Sequence, residues 1–141
     1  MSVKSIGLIV LSGLFLVIGS ALARTPSPEG AQLYIISPAD GAVVSSPVTV
    51  NFGLKQMGVA PAGIEKANTG HHHLLIDVAK LPAIDQPVPA DDQHKHFGGG
   101  QTEATIDLSP GEHTLQLLLG DMNHIPHNPP VVSNKITITV K

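Results

Sequence analysis

Eight histidines, all between residues 71 and 127, are the most unusual feature of this 141-residue sequence. Six of them form three close pairs, which are His71 with His73 in GHHHLLIDV, His94 with His96 in QHKHFGGG, and His124 with His127 in GDMNHIPHNPP. A neutral imidazole nitrogen binds a transition metal at about 2.0–2.1 Å, and two imidazoles two residues apart on a strand can lean towards one ion. Each pair is therefore a candidate part of a metal site.

Alternation along a strand separates the three consecutive histidines. His71 and His73 are predicted to point to one face, and His72 to the other, together with the apolar side chains of Leu74 and Ile76. We therefore interpret His72 as a partly buried structural residue. His113 follows the turn residues SPGE, and we expect it to hydrogen-bond to its own turn.

Other side chains near the pairs refine the predicted chemistry. Met122 offers a soft thioether close to His124, which would favour Cu(I). The carboxylates of Asp91, Asp92 and Glu103 are candidate acceptors for imidazole N–H groups. Affinity at a site of three or four imidazoles should fall between about pH 7 and pH 5 as the rings take up protons, whereas a carboxylate site should hold its metal until about pH 4.

Short strands are predicted to carry these residues. Leu33 to Ile36 reads as the first strand, and Val48, Val50 and Phe52 form the alternating apolar face of the next. Later strands are QTEATIDL, HTLQLLLGD and the closing VVSNKITITVK, while three prolines make AKLPAIDQPVPADDQ a loop or a poor edge strand. The fold class is therefore predicted to be all-β, an immunoglobulin-like antiparallel β-sandwich of about 7 strands. In such a sandwich, His71 and the NHIPH loop are expected at the same end, whereas the pattern does not place HKH.

The amino terminus has the pattern of an export signal. Lys4 is followed by the apolar run IGLIVLSGLFLVIG and then SALAR, with small residues at Ala21 and Ala23. We predict a signal peptide at 1–23 with cleavage after Ala23, a linker at 24–32 and a β-sandwich domain at 33–141. A membrane anchor is the competing interpretation, but the polar RTPSPEG that follows favours cleavage. The predicted location is the periplasm, with no membrane association after cleavage.

Composition excludes several classes of function. The formal net charge is −3 and there is no basic patch, so nucleic acid is not an expected partner. The chain has no cysteine, so disulfides cannot stabilise it and any metal site must use histidine, carboxylate or methionine. No serine–histidine–aspartate order or carboxylate pair indicates a catalytic site.

Four stretches carry a resemblance to a known family, and they are GHHHLLID, HKHFGGGQTE, LSPGEHTLQLLLGD and HIPHNPPVVSNKITITV. Together they resemble an uncharacterised family of short exported bacterial proteins, domain of unknown function 4399. The resemblance implies that the histidine-bearing stretches belong to one family pattern, and it brings no established activity or catalytic residue. A looser likeness is to copper-containing superoxide dismutases, which also mount histidines on a sandwich. This chain lacks the disulfide cysteines of those enzymes, and the spacing between its histidine clusters does not match theirs.

The leading hypothesis is a periplasmic, histidine-rich protein that binds a transition metal for sequestration, delivery or tolerance, with copper favoured and zinc second. Its partners would be the metal ion and a periplasmic protein. One alternative is a metal-dependent oxidoreductase, which would need an open coordination position. The other is a non-enzymatic accessory sandwich that binds a protein or a cell-envelope component. The predicted ligands are His71, His73, His94, His96, His124, His127 and Met122.

Overall fold

The computed structural model describes residues 24–141, and the predicted signal peptide at 1–23 lies outside them. The described chain is built from strands alone. They are β1 (Gln32–Ser37), β2 (Val43–Val44), β3 (Val48–Lys55), β4 (Gly58–Val59), β5 (Thr69–Ile76), β6 (His94–His96), β7 (Glu103–Ile106), β8 (Gly111–Gly120) and β9 (Ile136–Val140). Within residues 24–141, no helix is long and apolar enough to cross a membrane.

The strands form two sheets, which confirms the predicted all-β sandwich. The smaller sheet has the order β1-β3-β7, and the larger has β2-β9-β8-β5-β4, with β6 also pairing with β5. Pairing is antiparallel except where the two-residue strands β2 and β4 lie parallel to β9 and β5. These two strands raise the number above the predicted seven, because two residues are too few to show an alternating pattern.

The core lies between the two sheets and follows the predicted alternation. Val50 and Phe52 of β3 face the larger sheet, and Leu115, Leu117 and Leu119 of β8 are fully buried against them. The alternating side chains of β9 complete this core. Since each of these strands has one apolar face, burying that face determines its register.

Strand β5 is buried on both of its faces. Leu74 and Ile76 belong to the core between the sheets, whereas Leu75 packs with Leu118 and Val88 on the outer face of the larger sheet. Val88 lies in the proline-containing segment between β5 and β6, which covers this outer face. The outer face of β5 is therefore shielded from water although the sheet is mostly antiparallel.

The predicted linker at 24–32 is in contact with the rest of the domain. Pro26 forms an isolated bridge with Asn128, and the amide of Asn128 donates to the carbonyl of Thr25 over 2.9 Å. The beginning of the described chain thus lies along the loop that follows β8.

Candidate metal centre

His71 and His73 extend from the outer face of β5. Their ring centroids lie 4.8 Å apart, and the two side chains are 0% and 1% exposed. His72 points to the opposite face, where its ring lies 5.0 Å from that of Phe52, and its Nδ1 is 3.1 Å from the Gln101 carbonyl oxygen. The separation of the three histidines predicted from alternation is therefore confirmed.

His96 reaches the same face from the neighbouring strand. It is the last residue of β6 and lies directly opposite His73 in the antiparallel pairing, so both side chains point to the same side of the sheet. Their ring centroids are 5.1 Å apart. A Cβ on Gly98 would lie 2.3 Å from Cε1 of His96, so glycine at this position leaves the room that the ring needs. His96 is the exposed member of the group and marks its solvent side.

His124 comes from the loop after β8. Its Nδ1 lies 3.0 Å from Nε2 of His71, which confirms that this loop and the beginning of β5 meet at one end of the sandwich. The backbone of His124 has a φ of 66°, a region that histidine adopts only occasionally. Gly120, just before the loop, is also closely packed, because a Cβ there would lie 2.6 Å from Cε1 of His73.

The four rings converge on one point. One ligand nitrogen from each of His71, His73, His96 and His124 can be chosen so that all four lie within 4.8 Å of one another. In a tetrahedral site with bonds of 2.0–2.1 Å, ligand atoms are separated by about 3.3 Å. The 3.0 Å separation of His71 Nε2 and His124 Nδ1 is close to that value, and no pair of the four is more than 4.8 Å apart.

Burial favours the neutral form of three of the four rings. Loss of hydration lowers the pKa of His71 to about 4, with further lowering by the nearby His124 and His96 and a smaller opposing effect of Asp121. Loss of hydration also lowers the pKa of His73 to about 3, reinforced by its histidine neighbours. Loss of hydration is also the main cause that lowers the pKa of His96. Rings with such values carry free lone pairs at neutral pH, as metal ligation requires.

Two buried nitrogens in the centre have no hydrogen-bond partner among the described residues, Nδ1 of His71 and Nδ1 of His73. An unpaired buried polar atom costs about 1–3 kcal/mol of stability. Such atoms are uncommon in folded proteins, and they often belong to a functional site or contact a bound ion. His72 and His127, which lie outside the centre, also have one such nitrogen each, so it is the convergence of the four rings that distinguishes the centre.

The other predicted ligands lie elsewhere. His94 is on β6, opposite Leu75, and its Nδ1 is 2.8 Å from a carboxylate oxygen of Asp91. His127 is fully buried, its Nε2 is 3.1 Å from the Thr69 carbonyl oxygen, and a Cβ on Gly70 would lie 2.9 Å from its ring. Neither histidine belongs to the group of four.

Asp92 and His113 have local partners. Asp92 lies 3.2 Å from the ammonium group of Lys95. His113 Nδ1 is 2.8 Å from Asp77 and its Nε2 is 2.9 Å from the Ser109 carbonyl oxygen, which confirms its contact with its own turn. The bond to Asp77 raises the pKa of His113. His113 is therefore a structural residue.

Sequence reasoning missed Asp121, which supports the loop of His124. Its side chain is 4% exposed, and its Oδ1 accepts the backbone N–H groups of Asn123 at 2.9 Å and Ile125 at 3.0 Å. An aspartate directly after a strand, with an asparagine two residues later, is a typical turn signal. The sequence GDMNH contains that turn signal. It does not show that Asp121 lies beside the candidate metal centre.

Met122 lines a cavity to which none of the four histidines contributes. Its lining also includes Arg24, Ile64 and Lys66. We expect Met122→Leu to leave the relative affinities for Cu(I), Cu(II) and Zn(II) unchanged, because leucine keeps the volume and removes only the thioether. Competitive metal titrations of the variant and the wild type provide the measurement. A selective loss of Cu(I) affinity would instead make Met122 a ligand.

The sequence model of the domain of unknown function DUF4399 matches residues 50–141. The chain belongs to this family. All four converging histidines lie within the DUF4399 match, as do Asp121 and the glycines against which the rings pack. Among curated proteins and solved structures, nothing matches this DUF4399 chain.

Proposed function

We propose that this protein binds a transition-metal ion through His71, His73, His96 and His124, with copper favoured and zinc second. The convergence of four ligand nitrogens within 4.8 Å is the observation that carries the proposal. Imidazole suits copper and zinc, whereas magnesium and calcium prefer oxygen ligands. Divalent copper generally binds a given set of nitrogens more tightly than zinc does, so the preference for copper rests on the imidazoles alone.

The role that we propose is sequestration, delivery or tolerance of the metal rather than turnover. Four imidazoles fill a tetrahedral coordination shell, whereas catalytic zinc sites keep one position open for water or substrate. Because a filled shell leaves no position for a substrate, a metal-dependent oxidoreductase is the second candidate function. The location that we propose is the periplasm, on the strength of the predicted signal peptide at 1–23, and delivery would require a periplasmic partner protein.

Metal analysis of the natural protein tests the proposal. We expect protein purified from the periplasm without a histidine tag to carry a single copper or zinc ion per chain, detected by native and elemental mass spectrometry. His71→Ala, purified in the same way, should contain almost none, because it lacks a ligand. Wild-type protein that stays metal-free after incubation with Cu(II) and Zn(II) would contradict the proposal.

Proton competition gives a second test, and the burial of the rings moves the pH range that we expect for it. A fall in affinity between about pH 7 and pH 5 holds only for rings with an ordinary pKa of about 6.5. Burial lowers the pKa of His71 to about 4 and that of His73 to about 3, so these rings are not protonated in that range. Because His71 and His73 stay neutral in that range, we expect the steepest part of the fall in Zn(II) affinity to lie below about pH 5.

Isothermal titration with Zn(II) at intervals between pH 7 and pH 4 measures this profile. Carboxylates would also keep their metal to about pH 4, so pH alone does not distinguish the two kinds of ligand here. Asp91→Asn provides the matched control, since Asp91 contacts His94 and no member of the group of four. A steep loss of wild-type affinity already at pH 6 would show that the centre is more hydrated than its burial indicates.

A further inference from the structure

Residues 24–27, here called the amino-terminal arm, lie along the loop that carries His124. The Arg24 guanidinium donates to the carbonyl oxygen of Pro126 at 3.1 Å and to that of His127. The backbone N–H of Ser27 donates to the carbonyl of Asn128 at 3.1 Å, and the N–H of Asn128 donates back to Thr25. The arm is therefore bonded to the loop through both side chains and backbone.

Asp121 joins the arm to the part of the loop that contains His124. Its Oδ2 accepts the Thr25 hydroxyl at 2.6 Å, while its Oδ1 accepts the amides of Asn123 and Ile125. Its carbonyl oxygen also accepts the N–H of His124 at 2.9 Å. Asp121 thus forms hydrogen bonds with His124 and with both of its neighbours in the chain. The carboxylate of Asp121 in turn accepts a hydrogen bond from Thr25.

His124 depends on such support more than the other three histidines do. His71, His73 and His96 lie on paired strands, where the ladder hydrogen bonds determine their positions. His124 lies in a loop with a positive φ, a conformation that persists only where the surroundings hold it. A loop ligand that is free to move contributes less to affinity, because binding must then order it.

We propose that the amino-terminal arm positions His124 for metal binding, with Thr25 acting through Asp121. The inference rests on the proposed metal-binding function. It makes Thr25 and Asp121 positioning residues, and it gives the segment predicted as a linker a part in building the site. Supporting residues of this kind typically change metal affinity by about 10–100-fold when they are removed.

The first measurement uses the full chain without metal. Thr25→Val removes the hydroxyl and keeps the shape, Thr25→Ser keeps the hydroxyl, and Thr49→Val is the control, because the Thr49 hydroxyl lies 3.2 Å from that of Thr105 on the other sheet. We expect Thr25→Val to speed amide hydrogen exchange of Asn123 and Ile125 by roughly fivefold, the equivalent of one ordinary hydrogen bond. Thr25→Ser and Thr49→Val should exchange as the wild type does.

The second measurement is Cu(II) affinity. Thr25→Val should weaken it by roughly tenfold, Thr25→Ser should restore it, and Thr49→Val should leave it unchanged. In a His124→Ala background, Thr25→Val should have no further effect, because the ligand that it positions is gone. A general loss of stability would instead lower affinity in both backgrounds.

The outcomes separate this inference from the proposed function. Wild-type protein that binds neither Cu(II) nor Zn(II) overturns the proposed function. Wild-type protein that binds Cu(II), with equal affinity in Thr25→Val, overturns the positioning role alone. Unchanged exchange of Asn123 and Ile125 in Thr25→Val overturns the link between the arm and the loop, whatever the metal result.

Discussion

His73→Leu is expected to weaken Cu(II) and Zn(II) binding at least about a hundredfold, since even residues that only support ligands change affinity by 10–100-fold. His73 is 1% exposed, and its ring lies among those of His71, His96 and His124. Leucine fills much of the same volume without a ligand atom. The metal-free variant should be at least as stable as the wild type, because a buried nitrogen without a partner is removed.

His94→Ala is the matched control for this variant. His94 lies on β6 two residues before His96 and faces the same side, but it contacts Asp91 instead of the centre. His113→Ala should likewise keep its metal affinity and change only stability, since it loses its bonds to Asp77 and Ser109. Metal titrations give the affinities, and urea unfolding gives the stabilities. Similar losses of affinity in all three variants would show that no distinct centre exists.

The metal-free protein is expected to lose stability as the pH falls from about 6.5 towards 4. The pKa of His71 is lowered to about 4 and that of His73 to about 3, whereas both titrate near 6.5 in the unfolded chain. Between these values the unfolded chain binds protons that the folded protein does not, so unfolding is favoured by acid. We expect the free energy of unfolding to fall by about 3 kcal/mol for each ring, or about 6 kcal/mol in all, between pH 7 and pH 4.

Urea unfolding in a chelator at several pH values measures this dependence. The double variant His71→Leu/His73→Leu should show a much flatter profile, because the two groups responsible are absent. His113 acts with the opposite sign, since the bond to Asp77 raises its pKa. Its stabilising effect is complete below pH 6.5 and is lost as the pH rises through its folded pKa. A wild-type profile as flat as that of the double variant would mean that the buried rings are readily protonated in the folded protein.

Local features of this protein could be predicted from the sequence alone. The two-residue period of a strand determined that His71 and His73 share a face and that His72 faces the core, since neighbouring side chains point in opposite directions whatever the sheet is paired with. The apolar alternation of β8 and β9 likewise determined the fold class. Recurrence of histidine in pairs was enough to suggest metal chemistry.

Only the tertiary structure decided which histidine of the second pair and which of the third pair joins the centre. His96 joins and His94 does not because the pairing of β5 with β6 places His96 opposite His73 and His94 opposite Leu75, and that register is set by contacts distant in sequence. His124 joins because the loop after β8 turns back beside β5, where Nδ1 of His124 lies 3.0 Å from Nε2 of His71. The lowered pKa values of His71 and His73 also arise from tertiary structure, because these rings lose their hydration only when the chain folds and buries them.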